Sequence, residues 1–278
     1  MDESLTFLKL GGSLITNKDQ PGVLREGVIT SACEEIRSFR EINPGKKLVL
    51  GHGSGSFGHV PAARHKTRQG VASQEEWYGF QEVWYQAARL NSILSERLHA
   101  QGIPIMAFPV SASAYTQSGS IVHWDLTPLS HALDSGLIPL VYGDVVFDVE
   151  LGGTILSTED IFVYLARHFQ PSRVLLAGRE AGVWSDFSDR TGLIDRATPD
   201  EIERYLPTIE AAEGHDVTGG MIEKVKQMAA LVREIPGLEV LIFSGLDRNI
   251  LQDALSGKAV GTFISAQTPG QVQNGSKR

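Results

Sequence analysis

Residues 51–59 read Gly-His-Gly-Ser-Gly-Ser-Phe-Gly-His and follow directly on the apolar run 48–50. Glycines let backbone N–H groups approach an anion closely and take dihedrals that a side chain forbids, so successive amides form an anion-binding concavity. His59 closes the stretch with a donor whose charge changes near neutral pH. An apolar strand ending in such a turn is also a tight strand-to-helix connection, the joint from which parallel sheets are assembled.

Two more turns have the same character. Lys9-Leu10-Gly11-Gly12-Ser13 follows the apolar run 5–10, with Lys18 beyond it, and Asp216-Val217-Thr218-Gly219-Gly220-Met221 opens a helical pattern that carries Lys224. Three glycine turns and three lysines describe a polyphosphate site, in which amides and helix N-termini hold oxygens and lysines neutralise charge. None has the Walker spacing. Residues 53–58, GSGSFG, match GxGxxG, but the acid that would complete a dinucleotide fingerprint would have to be Glu75 or Glu76, which fall in a helical pattern and not at a strand end.

With 278 residues, 42% hydrophobic and 21% charged, the chain suits one large α/β domain or two small ones sharing a sheet. A net charge of -8 with no basic run speaks against nucleic-acid binding. The single Cys33 excludes an internal disulfide and a cysteine-based zinc site, and it reads as core. No apolar leader or long uncharged apolar span occurs, so a cytoplasmic protein without membrane insertion is expected.

Apolar runs alternate with amphipathic stretches, the pattern of an α/β protein with a largely parallel central sheet sandwiched by helices. Strands are predicted at 5–10, 47–51, 104–108, 138–142, 174–177, 239–243 and 261–264. The clearest helix runs from about 75 to 101, where Trp77, Phe80, Trp84, Ala87, Leu94 and Leu98 recur at three- and four-residue steps. Another begins at Ser157, whose hydroxyl caps free N–H groups while Asp160 suits the positive end of the dipole. Two inserted β-hairpins are expected to cover the sheet edge: 113–122, turning at Ser118-Gly119, and 145–156, turning at Gly152-Gly153. His52 is expected to pack or cap its loop, and His123 to be structural. Residues 1–170 are expected to form an acceptor-phosphate half and 171–266 a nucleotide half on one continuous sheet, with 267–278 a disordered tail.

In chain order, LKLGGSLITNK (8–18), GHGSGSFGH (51–59), LGGTILSTED (151–160) and DVTGGMIEKV (216–225) resemble the amino-acid kinase fold and, within it, isopentenyl phosphate kinases. The histidine that ends GSFGH is the narrower mark. The resemblance implies that Lys9, Gly11, Gly12, Ser13 and Ser54 meet the ATP phosphates and that Lys18 joins the transferred group. It likewise implies that Gly53, Ser54, Gly55 and His59 hold the acceptor phosphate, that Gly153 is a further substrate contact, and that Gly219 and Lys224 serve the nucleotide. Asp144 resembles the aspartate that orients the lysines, which makes Lys9, Lys18, His59 and Asp144 the implied catalytic set. Implied as well are ATP, Mg2+ held mainly by phosphates and water, isopentenyl phosphate as acceptor, a homodimer, and a mevalonate-type isoprenoid route. Trp77, Phe80, Val83 and Trp84, on the helix after the GSFGH turn, are placed to wall the acceptor's tail, but an aromatic stripe at helical spacing is more often ordinary core, which is the stronger reading here.

Two departures from the family pattern stand out. Ser54 occupies a position where many relatives carry glycine, and 177–184 reads AGREAGVW in place of an Asp-rich loop resembling TDVDGVY. Other readings stay open at this point: a kinase of the same fold acting on another alkyl phosphate or a phosphonate of the fosfomycin type, and a non-catalytic nucleotide or isoprenoid sensor. Retention of all three lysines argues against the sensor.

Overall fold

Side chains along the first strand sort by parity, as the two-residue period of a strand requires: Leu5 and Phe7 enter one apolar cluster, Leu8 and Leu10 another. The computed structural model describes residues 2–18, 20–186, 188–213 and 221–266. The expected tail and residues 216–220 of the third glycine turn, Gly219 among them, lie outside these. In chain order the elements are β1 (Asp2–Leu10), α1 (Gly12–Ile15), α2 (Glu26–Ile42), β2 (Lys47–His52), α3 (Gly55–His65), α4 (Gln74–Ala100), β3 (Ile105–Ala107), β4 (Ala114–Gln117), β5 (Ser120–Trp124), α5 (Thr127–Asp134), β6 (Ile138–Tyr142), β7 (Asp144–Asp148) and β8 (Gly152–Leu156). They continue as α6 (Thr158–Phe169), β9 (Pro171–Gly178), β10 (Trp184–Asp186), β11 (Thr191–Leu193), β12 (Arg196–Ala197), α7 (Pro199–Glu213), α8 (Met221–Glu234), β13 (Glu239–Ser244), α9 (Ile250–Leu255) and β14 (Thr262–Ser265).

Eight strands form one sheet in the order β12-β14-β13-β9-β1-β2-β6-β3, and it includes all seven predicted strands. Its pairings are parallel apart from β13 with β14. Helices α2, α4 and α9 bury Ile36, Leu94 and Leu251 on one face, and α6 and α8 bury Phe162 and Met228 on the other. This is the expected α/β architecture. Since β1 lies between β2 and β9, the loops that leave the carboxyl ends of these three parallel strands meet at one place, where open α/β sheets bind ligands.

The inserted hairpins differ from expectation. β4 pairs in parallel with β7, which fuses the two hairpins into one four-stranded sheet, β5-β4-β7-β8. Gly152 and Gly153 stand inside β8 and not at a turn, because the Asp148 carboxylate builds the turn by accepting the N–H groups of Glu150 and Leu151, each at 2.9 Å. The same carboxylate accepts from Thr116 Oγ1 and from the N–H groups of Ser118 and Gly119. These donors hold its pKa well below the usual carboxylate range against the opposing effect of burial.

Helix α4 starts from a capping box, with Ser73 and Glu76 bonded reciprocally. Phe80 and Val83 are buried against Val71 and Val145 in a third, smaller apolar cluster, with Trp77 packed beside them. Trp84, predicted with this face, stands exposed.

Candidate active site

Parity decides where Lys9 goes. It shares the face of Leu5 and Phe7, which α6 covers, so its side chain emerges at the strand end beneath the first turn of that helix. There Lys9 Nζ donates to Glu159 Oε2, and both residues are buried, at 7% exposure each. Burial alone would raise the Glu159 carboxyl; the charges of Lys9 and then Lys224, with the Lys9 hydrogen bond, outweigh it and bring the group to about 2. Lys224, on the first turn of α8, thus converges on the same carboxylate.

Glu159 was not among the residues expected from sequence, and it takes the part expected of Asp144. The Asp144 carboxylate is engaged elsewhere, accepting from Ser111 Oγ at 2.6 Å and from the Val145 N–H at 2.9 Å. Burial pushes it up to about 6 despite these bonds. A lysine ion-paired with Asp144 would compensate that burial. The signal for Glu159 was an acid on the buried face of an amphipathic helix, in phase with Phe162 and Ala166.

The first two glycine turns touch through their backbones. A Cβ on Gly12 would lie 2.4 Å from Gly55 N, and one on Gly53 would lie 2.7 Å from Gly12 N. Gly55 has φ +50°, and a Cβ there would strike Thr16 Oγ1. Side chains are therefore excluded from the seam between the loops that follow β1 and β2. The N–H groups of Gly12, Ser13, Ser54 and Gly55 have no hydrogen-bond partner among the described residues. Amides of this kind at the start of α1 and of the 11-residue α3 suit an anion, and they fit the phosphates of a nucleotide and of an acceptor.

His59 opens the second turn of α3 and is exposed. Desolvation by the surrounding chain, then the charges of Lys9 and Lys18, hold its imidazole below the ordinary value; Glu159 opposes them and Arg68 adds to them. Lys18 is exposed on the loop after α1. His52 points to the other face and packs, as expected: its ring is fully buried, stacks on Tyr142 with centroids 5.3 Å apart, and lies 3.2 Å from Asn91 Oδ1. His123, on β5, stacks on Tyr115.

Gly153 meets the aromatic cluster. A Cβ there would come within 2.6 Å of the Phe80 ring and 3.4 Å of Trp77. Phe147 completes this group, 5.4 Å from Phe80 and 5.9 Å from Trp77 between centroids. Ala62, one helical turn beyond His59, packs on the same cluster, so an apolar surface begins one turn from His59.

On the opposite flank, the atypical 177–184 loop leaves the end of β9 beside Gly11, whose N–H donates to Ala177 O at 2.8 Å. Glu180 is tied to Arg190 and Trp184, and the Val183 N–H donates to Thr262 Oγ1. Among the described residues no group of three or more His, Cys, Asp or Glu is arranged to hold a metal ion. Nor, among them, is any helix long and apolar enough to cross a membrane.

A buried lysine-carboxylate pair and two abutting glycine loops thus stand together at the carboxyl ends of parallel strands. The chain belongs to the amino acid kinase family, whose model matches residues 4–244. Its likeness within that family is to isopentenyl phosphate kinases. The one from Methanocaldococcus jannaschii is 30% identical over 94% of this chain and 98% of its own length. That from Methanothermobacter thermautotrophicus is 29% identical over 95% and 100%. A solved structure of an isopentenyl phosphate kinase superposes with a TM-score of 0.79 at 26% identity, covering 94% of this chain and all of its own.

Proposed function

We propose that this protein is an ATP-dependent kinase that phosphorylates isopentenyl phosphate to isopentenyl diphosphate. The observation that carries the proposal is the buried Lys9, ion-paired with Glu159 at the end of β1 directly before the Gly11-Gly12 loop, which abuts the Gly53-Gly55 loop. Phosphoryl transfer spreads charge over the equatorial oxygens of a loose transition state, so alignment and fixed positive charge carry most of the catalysis. In this reading Lys9, with Lys18 and Lys224 around it, neutralises the moving group, and the open amides of Gly12, Ser13, Ser54 and Gly55 hold the donor and acceptor phosphates between them. His59 donates one N–H to the acceptor phosphate.

That phosphate has a second pKa near ~6, so an anionic oxygen is available at pH 7 without a general base. The oxygen attacks the γ-phosphorus, the bond to the β,γ-bridging oxygen breaks, and ADP leaves, with no proton transferred. When bound with the nucleotide, Mg2+ supplies charge neutralisation on the phosphates, held by their oxygens and water. Trp77, Phe80 and Phe147 wall the five-carbon tail, each buried CH2 contributing roughly 0.8 kcal/mol. The acceptor and nucleotide halves and the cytoplasmic setting expected from the sequence, and the homodimer that the resemblance implies, belong to the same proposal.

The test is incubation with ATP, Mg2+ and isopentenyl phosphate, read by mass spectrometry, with dimethylallyl phosphate and fosfomycin alongside. Isopentenyl diphosphate that forms with the wild type and not with Lys9→Ala is the expected result. Turnover of fosfomycin alone moves the chain to phosphonate kinases, and ATP binding with no turnover of any acceptor makes it a sensor.

A further inference from the structure

Arg68 lies outside every motif that the sequence singled out. It belongs to a single 3-10 turn, Thr67–Gln69, that joins α3 to α4. Left-handed residues bracket the turn, Lys66 at φ 52° and Gly70 at φ 125°. A non-glycine residue in that region is strained by about 1 kcal/mol or more and persists where its surroundings enforce it. Thr154 Oγ1, on β8, donates to the Arg68 carbonyl at 3.0 Å. The neighbouring Thr67 is buried with its hydroxyl unpartnered among the described residues. The backbone of Arg68 is thus rooted next to Gly153.

Its side chain is far less committed. The guanidinium Nη2 stands 3.7 Å from Asp160 Oδ2, a separation beyond hydrogen bonding, and the side chain is 61% exposed. Asp160 is already satisfied without it, accepting from Ser157 N at 2.8 Å, from Ser157 Oγ at 2.7 Å and from Gln227 Nε2 at 2.6 Å. Asp160 directly follows Glu159, the partner of Lys9, so the uncommitted fork of donors stands against the same first turn of α6. Its charge reaches His59.

We infer that Arg68 is an acceptor-side phosphate-binding residue, whose guanidinium leaves its loose contact with Asp160 to take two oxygens of the phosphate monoester. The bidentate fork matches phosphate geometry in a way a lysine does not. Acceptor is favoured over nucleotide because the turn continues α3, which carries His59, and roots on β8 beside Gly153, whereas Gly11 lies against the end of β9. This inference rests on the phosphotransferase reading above.

The experiment compares wild type, Arg68→Gln and Arg68→Lys by calorimetric titration with isopentenyl phosphate alone, by kinetics with acceptor and ATP varied separately, and by thermal unfolding. In Arg68→Gln, acceptor affinity should fall and acceptor KM rise roughly ten- to hundredfold, the scale of lost charge-assisted hydrogen bonds, while the KM for ATP stays within about twofold. Arg68→Lys should recover part of the loss, and the unfolding temperature should hold in both. Unchanged acceptor affinity in Arg68→Gln, or a loss shared equally with ATP and with stability, overturns the assignment. Failure of the kinase reading looks different. Wild type that binds the monoester without turning it over refutes that reading while a binding loss in Arg68→Gln still upholds Arg68, and wild type that binds no phosphate monoester overturns both.

Discussion

Lys9 carries its charge in a place where a lone ammonium would be heavily penalised, and Glu159 is what makes the position tenable. Breaking a buried pair by removing one partner typically costs about 3–5 kcal/mol, because the other charge is left uncompensated. Glu159→Gln keeps the volume and removes the charge that lies between Lys9 and Lys224. The variant should lose stability on that scale and about a hundredfold in kcat, since the Lys9 ammonium loses the carboxylate that fixes its position, with a smaller change in the KM for ATP. Kinetics and thermal unfolding check it; unchanged kcat would show that Glu159 does not position Lys9. At this scale the cations were easier to read than their partner. A lysine at the end of an apolar strand before two glycines is conspicuous in sequence, but which of the nearby acids it meets depends on strand parity and on where α6 begins. Asp144, which the resemblance implied for this part, has its carboxylate committed to Ser111 and Val145.

Strands and capped helices follow from local rules, and these were legible: 138–142 is a continuous buried apolar run, and Ser157 with Asp160 forms a capping box. The inserted sheet was only partly legible. Its parallel β4–β7 pairing and its turn are set by one carboxylate, Asp148, gathering donors from both hairpins, which no local pattern encodes. Gly152 and Gly153 were misread for a related reason. Their lack of side chains makes room for Val71 O and the Phe80 ring, which come from distant segments. The same distinction between local and distant need separates two glycines in helices. Gly27, in the first turn of α2, has nothing within 4 Å of its missing Cβ, whereas Gly12 has the Gly55 backbone at 2.4 Å. Gly27→Ala should be neutral or stabilising by a few tenths of a kcal/mol. Gly12→Ala must push the two loops apart, at about 1–3 kcal/mol and with most of the activity lost. Thermal unfolding and turnover of the two variants side by side test this, and wild-type activity in Gly12→Ala would remove the seam from the site.

Across the whole molecule, β2 and β6 bring two buried titratable groups close together on the way to the site: the Gly143 N–H donates to His52 O at 3.2 Å, and Asp144 is the next residue. Their folded pKa values move in opposite senses on stability. Burial lowers His52 from 6.5 to about 4, so it contributes stability above pH 6.5 that is lost as pH falls toward 4. Burial raises Asp144 from 3.8 to about 6, so it favours the fold below pH 3.8, and that contribution is lost as pH rises through 6. Each is worth about 3 kcal/mol, and the windows overlap, so the two contributions largely offset between pH 4 and 6. Below that range Glu159 takes over: its stabilisation is complete above pH 4.5 and is lost as pH falls through about 2. Asp144→Asn keeps the shape and can still accept the Val145 N–H while removing one of the opposing pair. Its unfolding temperature should exceed that of the wild type at pH 8, by an amount corresponding to at most about 3 kcal/mol, and the excess should shrink through pH 6 and vanish by pH 4. A difference that does not vary with pH would mean that Asp144 does not titrate between the folded and unfolded states. A variant less stable than wild type at pH 8 would mean that the ionised carboxylate is compensated in the fold by more than Ser111 and Val145.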